Sequence, residues 1–237
     1  MRSFIWTLGF GLFFALTARG QENLKFGFQL SPSFSHMRST DPDIRAGGTN
    51  LGLKMGVMSE YYFRENYAFA TGIGFFFNTG GSLLHQSAGQ YWVRSGLDSL
   101  PAQARLKYNL QFIEIPLALK MQTREFGYVR YFLEPGMSLA INTRANGQVS
   151  GPGIADSDQA INIRKDVNAL LLSLSIGAGA TYSLNESLAL TGGIFFQSGF
   201  TDVTDDSGTV LEAGKAPRRE DARSSINAIT IRVGIIF

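Results

Sequence analysis

Ile229-Thr230-Ile231-Arg232-Val233-Gly234-Ile235-Ile236-Phe237 is the stretch that decides the fold. Ile229, Ile231, Val233, Ile235 and Phe237 occupy alternate positions, with Thr230, Arg232 and Gly234 between them. A period of two sends successive side chains to opposite faces, so this segment reads as a strand with one apolar face. Working back along the chain, the same rhythm recurs seven times. Its apolar sets are Leu24–Leu30, Leu51–Val57, Phe69–Phe77, Ile113–Met121, Val129–Ile141, Leu170–Ile176 and Leu188–Phe196. The opposite faces carry Gly, Ala and Ser with a few charges, for instance Gly52, Lys54 and Gly56, or Glu114, Ala118 and Lys120. Each segment is long enough to cross a bilayer when tilted, which takes ~9–11 residues.

The connections alternate in length. Short turns lie near residues 64–66, 122–127 and 185–187, and long polar stretches cover 37–48, 79–105, 143–166 and 201–224. Short–long alternation along an even-stranded meander puts every short turn on one rim and every long loop on the other. The expected fold is therefore all-β, an eight-stranded antiparallel up-and-down transmembrane barrel with short periplasmic turns and long extracellular loops. A soluble lipocalin-like carrier also alternates, but with its apolar face inward. Small residues opposite the apolar face suit a crowded lumen. The aromatics Tyr61, Tyr62, Phe63 and Tyr67, then Phe126, Tyr128 and Tyr131, then Tyr182, gather at the short turns like an interfacial girdle. Pro116 and Pro135 fall inside proposed strands, where a bulge is the expected accommodation.

Tyr108-Asn109-Leu110-Gln111-Phe112-Ile113-Glu114-Ile115-Pro116-Leu117, with Leu174–Ala180 and the closing strand ending in Phe237, resembles the Bacteroidetes-type outer-membrane β-barrel family that includes PorT-like proteins. The likeness spans residues 21–237. It implies an outer-membrane address and a barrel, and no reaction; the named member assists a protein-secretion system. Phe237, on the apolar face of its strand, resembles the terminal aromatic by which the barrel assembly machinery recognises its substrates.

Residues 1–20 read as a cleaved signal peptide. Arg2 is followed by an apolar run from Phe4 to Leu16 and then Ala18-Arg19-Gly20. Removing them leaves 19 basic and 19 acidic residues, a balance that does not suit a nucleic-acid binder. With no cysteine in the chain, disulfides and thiolate metal sites are excluded. Asp202, Asp205 and Asp206 with Gly208 do not match the twelve-residue calcium loop and read as a solvated loop; no cofactor or metal is expected.

In the barrel phase Lys25, Lys54, Lys120, Arg130 and Arg232 point inward with Glu60, Glu114 and Glu134. Buried charges are costly unless paired. Lys54, Glu114, Lys120, Arg130, Glu134 and Arg232 are therefore expected to form a structural network filling the lumen, with a narrow conduction path as the functional alternative. Lys120 and Arg130 are expected near each other at the periplasmic end. His36 and His85 read as solvated loop histidines; the alternative is a rim-located lipid-modifying enzyme using one of them with Ser35, Ser39 or Ser82. Lys215, Arg218, Arg219 and Arg223, interleaved with Glu212, Glu220 and Asp221, read as a mixed-charge surface. The resulting expectation is a non-enzymatic barrel. Its partners would be outer-membrane lipids, the assembly machinery and an envelope protein met through loops or rims.

Overall fold

The computed structural model describes residues 23–154, 160–212 and 214–237. The proposed signal segment, 1–20, lies outside them. Eight long strands make the ring: β1 (Leu24–Ser39), β2 (Ile44–Arg64), β3 (Tyr67–His85), β4 (Ala104–Gln122), β5 (Val129–Ser150), β6 (Leu170–Ser183), β7 (Ala189–Gly199) and β8 (Ser224–Ile236). Each pairs antiparallel with the next, and β8 closes on β1. Closure removes the free edges that would otherwise expose unpaired backbone to lipid.

The apolar face lies outside. Phe28, Leu51, Phe69, Leu117, Met137, Leu174, Ile194 and Val233 are all exposed, one from each of the eight strands. A lipocalin-like carrier would hold these side chains within, so that reading is set aside. At the short-turn rim Phe63 stacks near Phe69 with ring centroids 4.7 Å apart, and Tyr128 lies 6.2 Å from Tyr182. Tyr62 is not part of this girdle, because its hydroxyl turns into the lumen and donates to Glu60 at 2.7 Å.

Much of what reads as long polar loop is strand. β2 begins at Ile44, β3 runs on to His85, and β5 continues to Ser150. The reason is backbone pairing beyond the bilayer: in water a polar strand needs no apolar face to stay in its ladder. The prolines also differ from expectation. At Pro116 the ladder to β3 lapses between Thr71–Leu117 and Gly74–Glu114 and resumes in the same register. At Pro135 it lapses toward β4, between Ala118–Gly136 and Met121–Leu133, again without a slip. No bulge forms. A strand residue directs its N–H and C=O to one neighbour, so a proline interrupts one ladder and leaves the other intact; the freed Pro116 carbonyl accepts from the Thr71 hydroxyl at 2.8 Å.

The register slips elsewhere. β3 bulges between Phe76 and Thr79, where Asn78 has φ 54°, a left-handed conformation that Asn tolerates. β5 bulges opposite Gln111 and Phe112, where Thr143 is the extra residue. Both of these lie above the apolar band; β2 also slips against β3 between Ala46 and Gly48 and, at the short-turn rim, between Tyr62 and Arg64.

The loops fold over the outer end as a packed cap. Ala88–Gln90, Thr209–Leu211 and Arg218–Arg219 form a small three-stranded sheet. Beneath it Trp92, Leu106, Tyr108, Leu110, Ile163, Val203 and Val210 make a buried apolar cluster. Trp92 is only 1% exposed. Its indole N–H donates to the Tyr108 hydroxyl at 3.1 Å, and its ring fills the space above Gly147 that any side chain there would need.

Candidate functional site

The interior is organised by size. Long charged side chains leave strands that flank Gly- and Ala-lined ones, and lie across them. Lys54 of β2 reaches over Gly74 of β3 to Glu114 of β4, Nζ to Oε2 2.6 Å. Glu60 and Lys120 likewise meet at 2.6 Å from the two sides of β3, over Ala68 and Ala70. Arg232 of β8 meets Glu134 of β5 through Nη1, at 3.0 and 2.9 Å from its two oxygens, spanning β6 and β7 where Gly177, Gly179 and Gly193 line the register.

Each cation also lies against an aromatic ring. Lys54 is 5.7 Å from the Phe76 centroid, Lys120 is 4.7 Å from Phe132, and the Arg232 guanidinium is 3.6 Å from Phe195. A ring face attracts a cation more strongly once both are out of water. Glu114 and Lys120 are 2% and 1% exposed, so each pair shields charges that water does not reach.

Further inward-facing polar groups complete the middle layer. The Gln197 amide nitrogen lies 3.1 Å from Glu114 Oε1, 2.9 Å from the Ser138 hydroxyl and 2.7 Å from that of Ser173. Ser138 and Ser173 are themselves 2.6 Å apart. Gln197, Ser138, Ser173 and Tyr62 carry no charge and are missed by reading charges alone; their inward phase at a period of two is the signal that finds them.

Of the lumen residues named from the sequence, the structure brings Lys54 to Glu114 and Arg232 to Glu134, and gives Lys120 to Glu60. Arg130 stands apart. It is the second residue of β5, at the open periplasmic mouth, and pairs with Glu125 of the adjoining turn at 3.0 Å with a third of each side chain exposed. Lys120 is held away from it by Glu60. Lys25 lies 5.2 Å from the Tyr62 ring. Phe237 faces outward beside Phe28, ring centroids 5.8 Å apart, and its backbone exchanges hydrogen bonds with Phe26.

The cap groups are not solvated as their loop positions suggest. His85 is 3% exposed and stacked 3.8 Å from Tyr91, and neither ring nitrogen has a partner among the described residues. The bulge at Asn78 reverses the alternation of β3 against β4 and turns His85 inward. Burial pushes its pKa down to about 4, although the Asp41 carboxylate opposes this. Glu220 is also buried. Burial, with the nearby acids Asp202, Asp206 and Asp41, pushes its carboxyl up to about 7 against a hydrogen bond from the Ala222 N–H.

Asp202 brackets the loop base, accepting from Thr204 N, Thr204 Oγ1 and Ser224 N at 2.9–3.0 Å. Asp205 pairs with Arg94 at 3.1 Å. Among the described residues no three acids or histidines assemble into a metal-binding group. Arg218 meets Asp41 and Glu212 at 2.9 and 3.1 Å, and Lys215 meets Glu212 at 2.6 Å, so those two cations of the basic cluster are paired, while Arg219 donates to the Asp206 carbonyl at 2.6 Å.

A closed eight-stranded ring with lipid-facing apolar residues and a charged, filled lumen defines an outer-membrane β-barrel. The chain belongs to the outer membrane protein beta-barrel domain family, whose model matches residues 7–205. Among solved structures it is similar to a major outer membrane protein from Thermus thermophilus, with 14% identity, 90% of this chain and 98% of that one covered, and a TM-score of 0.46. It is also similar to Neisserial surface protein A (12% identity, 89% and 95% covered, TM-score 0.45). A third is the attachment invasion locus protein Ail of Yersinia pestis (9% identity, 91% and 99% covered, TM-score 0.40). No curated protein sequence matches the chain.

Proposed function

We propose that this chain is a non-enzymatic, PorT-like outer-membrane barrel that contacts an envelope protein through its extracellular loops or its rims, in a role related to secretion. The observation that carries the reading is the packed cap. Three loop segments are tied into one sheet over a core containing Trp92, Tyr108 and Val210. A preorganised surface loses little conformational entropy when a partner docks on it, which favours binding. Below it, ion pairs cross the lumen at Lys54–Glu114, Lys120–Glu60 and Arg232–Glu134, which fits a scaffold better than a conduit.

The rival reading, a lipid-modifying enzyme at the rim, needs a histidine beside a serine within reach of the bilayer. His85 instead packs on Tyr91 inside the cap, which weighs against it in that role. Co-purification from native outer membrane, with photo-crosslinkers at the exposed cap residues Ala102 and Ala216 and the exposed turn residues Glu65 and Asn185, tests the proposal. One protein captured reproducibly from one rim is expected. Capture of nothing at either rim would overturn it, as would lipid turnover by the pure barrel that is lost on replacing His36 or His85 by Ala.

A further inference from the structure

The outer wall of β2–β5 carries an array of cations above the apolar band. Arg45 of β2, Arg105 and Lys107 of β4, and Arg144 of β5 are all exposed. Arg45 stands opposite Leu84, which stands opposite Arg105. Lys107 follows Arg105 on the same face of β4, in phase with the lipid-facing Ile115 and Leu117 lower on the strand. All four are therefore on one continuous piece of wall, on the side that meets the membrane.

Arg144 owes its place to the bulge. Below Thr143 the even-numbered residues Ser138 and Asn142 are buried in the lumen. The extra residue reverses the alternation, the Thr143 hydroxyl donates to the Gln111 carbonyl at 3.2 Å, and Arg144 emerges outside, opposite Gln111. Without the bulge this guanidinium would enter a closed interior.

Among the described residues none of the four forms an ion pair, whereas Arg94, Lys215 and Arg218 in the loops each do. Four uncompensated cations on one wall are a binding field rather than a solubilising surface of mixed sign. Their height identifies what meets them. Arg144 lies three residues past Ile141, and Arg105 eight past Ile113; at ~3.4 Å per residue and ~40° tilt they stand roughly 8–20 Å above the band. The headgroup layer fills the first ~5–7 Å above the hydrocarbon, within reach of the Arg144 stem, and the sugars of a glycolipid rise from it to the height of Lys107, Arg105 and Arg45.

We propose that this wall binds the phosphate groups of a glycolipid in the outer leaflet. A phosphorylated sugar headgroup spreads its anions over the height that these cations cover, and the Arg forks match phosphate oxygens bidentately. Phosphate contact also accounts for the outward turn of Arg144, which no ion pair within the described residues requires. The array is separate from the loop cluster at Lys215 and Arg218, whose charge is spent on Asp41 and Glu212.

The test uses the barrel without residues 1–20, in nanodiscs of phosphatidylcholine containing a lipopolysaccharide whose inner-core sugars are phosphorylated, with bound lipid counted by native mass spectrometry. Arg105→Gln/Lys107→Gln/Arg144→Gln is expected to weaken lipopolysaccharide retention about a hundredfold, since each cation near an anionic surface contributes about a factor of five. Lys215→Gln/Arg218→Gln should leave retention within about twofold, because those charges are already paired. The same lipopolysaccharide stripped of its phosphates should not distinguish wild type from the triple variant, and free inorganic phosphate in excess should not displace the lipid. Heat-modifiable migration on gels verifies folding. Should the triple variant misfold, Arg105→Glu near the strand end supplies the same direction at smaller amplitude. Equal retention by wild type and variant, equal retention of dephosphorylated lipid by wild type, or full displacement by free phosphate would each overturn the proposal.

Discussion

Lys54 and Glu114 meet 2.6 Å apart although they belong to strands that are not neighbours, and the strand between them makes room with Gly74. The pair is buried, and Glu114 has Gln197 on its other oxygen. Replacing Glu114 by Gln leaves the Lys54 ammonium without its counter-ion and is expected to destabilise the barrel by about 3–5 kcal/mol. Glu134→Gln should do the same to Arg232. Replacing both members of the first pair by Leu and Met should cost far less than either single change, because no unpaired charge remains. Urea unfolding of the purified barrel measures all of these, with His36→Ala as a variant expected to change little.

The contact of Trp92 with Gly147 makes a second prediction. A β-branched side chain at 147 would occupy the space of the indole ring. Gly147→Val should therefore displace Trp92, cost about 1–3 kcal/mol through overpacking, and shift its fluorescence to the red. Trp6 lies within the segment expected to be removed, so Trp92 is the single tryptophan left to report. An unchanged emission maximum would show that the cap does not rest on this contact.

The cap should also respond to pH from two sides. His85 has a folded pKa lowered from its ordinary 6.5 to about 4. Its contribution to stability is present above about pH 6.5 and is lost as pH falls through about 4. Glu220 is raised from 4.5 to about 7. Its contribution is present below about pH 4.5 and is lost as pH rises through about 7. Trp92 emission followed against pH should show the acid limb move in His85→Phe and the neutral limb flatten in Glu220→Gln. A limb unaffected by its own substitution would exclude that residue as its source.

Single cysteines test the orientation in a chain that has none of its own. Ala102→Cys and Ala216→Cys, both exposed in the cap, should label with an impermeant reagent on intact cells. Glu65→Cys and Asn185→Cys at the short turns should not. Gly89 and Gly208 read as loop positions in the sequence but are buried in the cap, so cysteines there should label poorly even from outside.

A period of two is a property of the covalent chain, and it was enough to read eight strands, their order, the outward apolar face and the two unequal rims. The strands' true ends were not readable, because a β-ladder continues wherever a neighbour continues, and polar residues past the bilayer carry no alternation to announce it. His85 shows the consequence. In sequence it belongs to a polar loop, but β3 extends to it and the slip at Asn78 reverses its face. Arg144 is displaced in the opposite sense by Thr143. A bulge is a disagreement between two strands over register, so neither strand's own pattern contains it.

The sequence by itself determined the class of fold, because an apolar face opposed by small residues and flanked by aromatics at the short turns suits a wall that meets lipid, and a meander of even count must close there to satisfy its backbone. Only the tertiary structure decided which acid meets which cation. Arg130, Lys120 and Glu60 share an inward phase in the sequence, yet the ring gives Lys120 to Glu60 and leaves Arg130 at the mouth with Glu125. It likewise decided that Tyr91, Trp92 and Val210 fold back as a core. Partner choice depends on distances between strands that are not adjacent and on the room left by the small residues between them. Those distances exist only once the ring has closed.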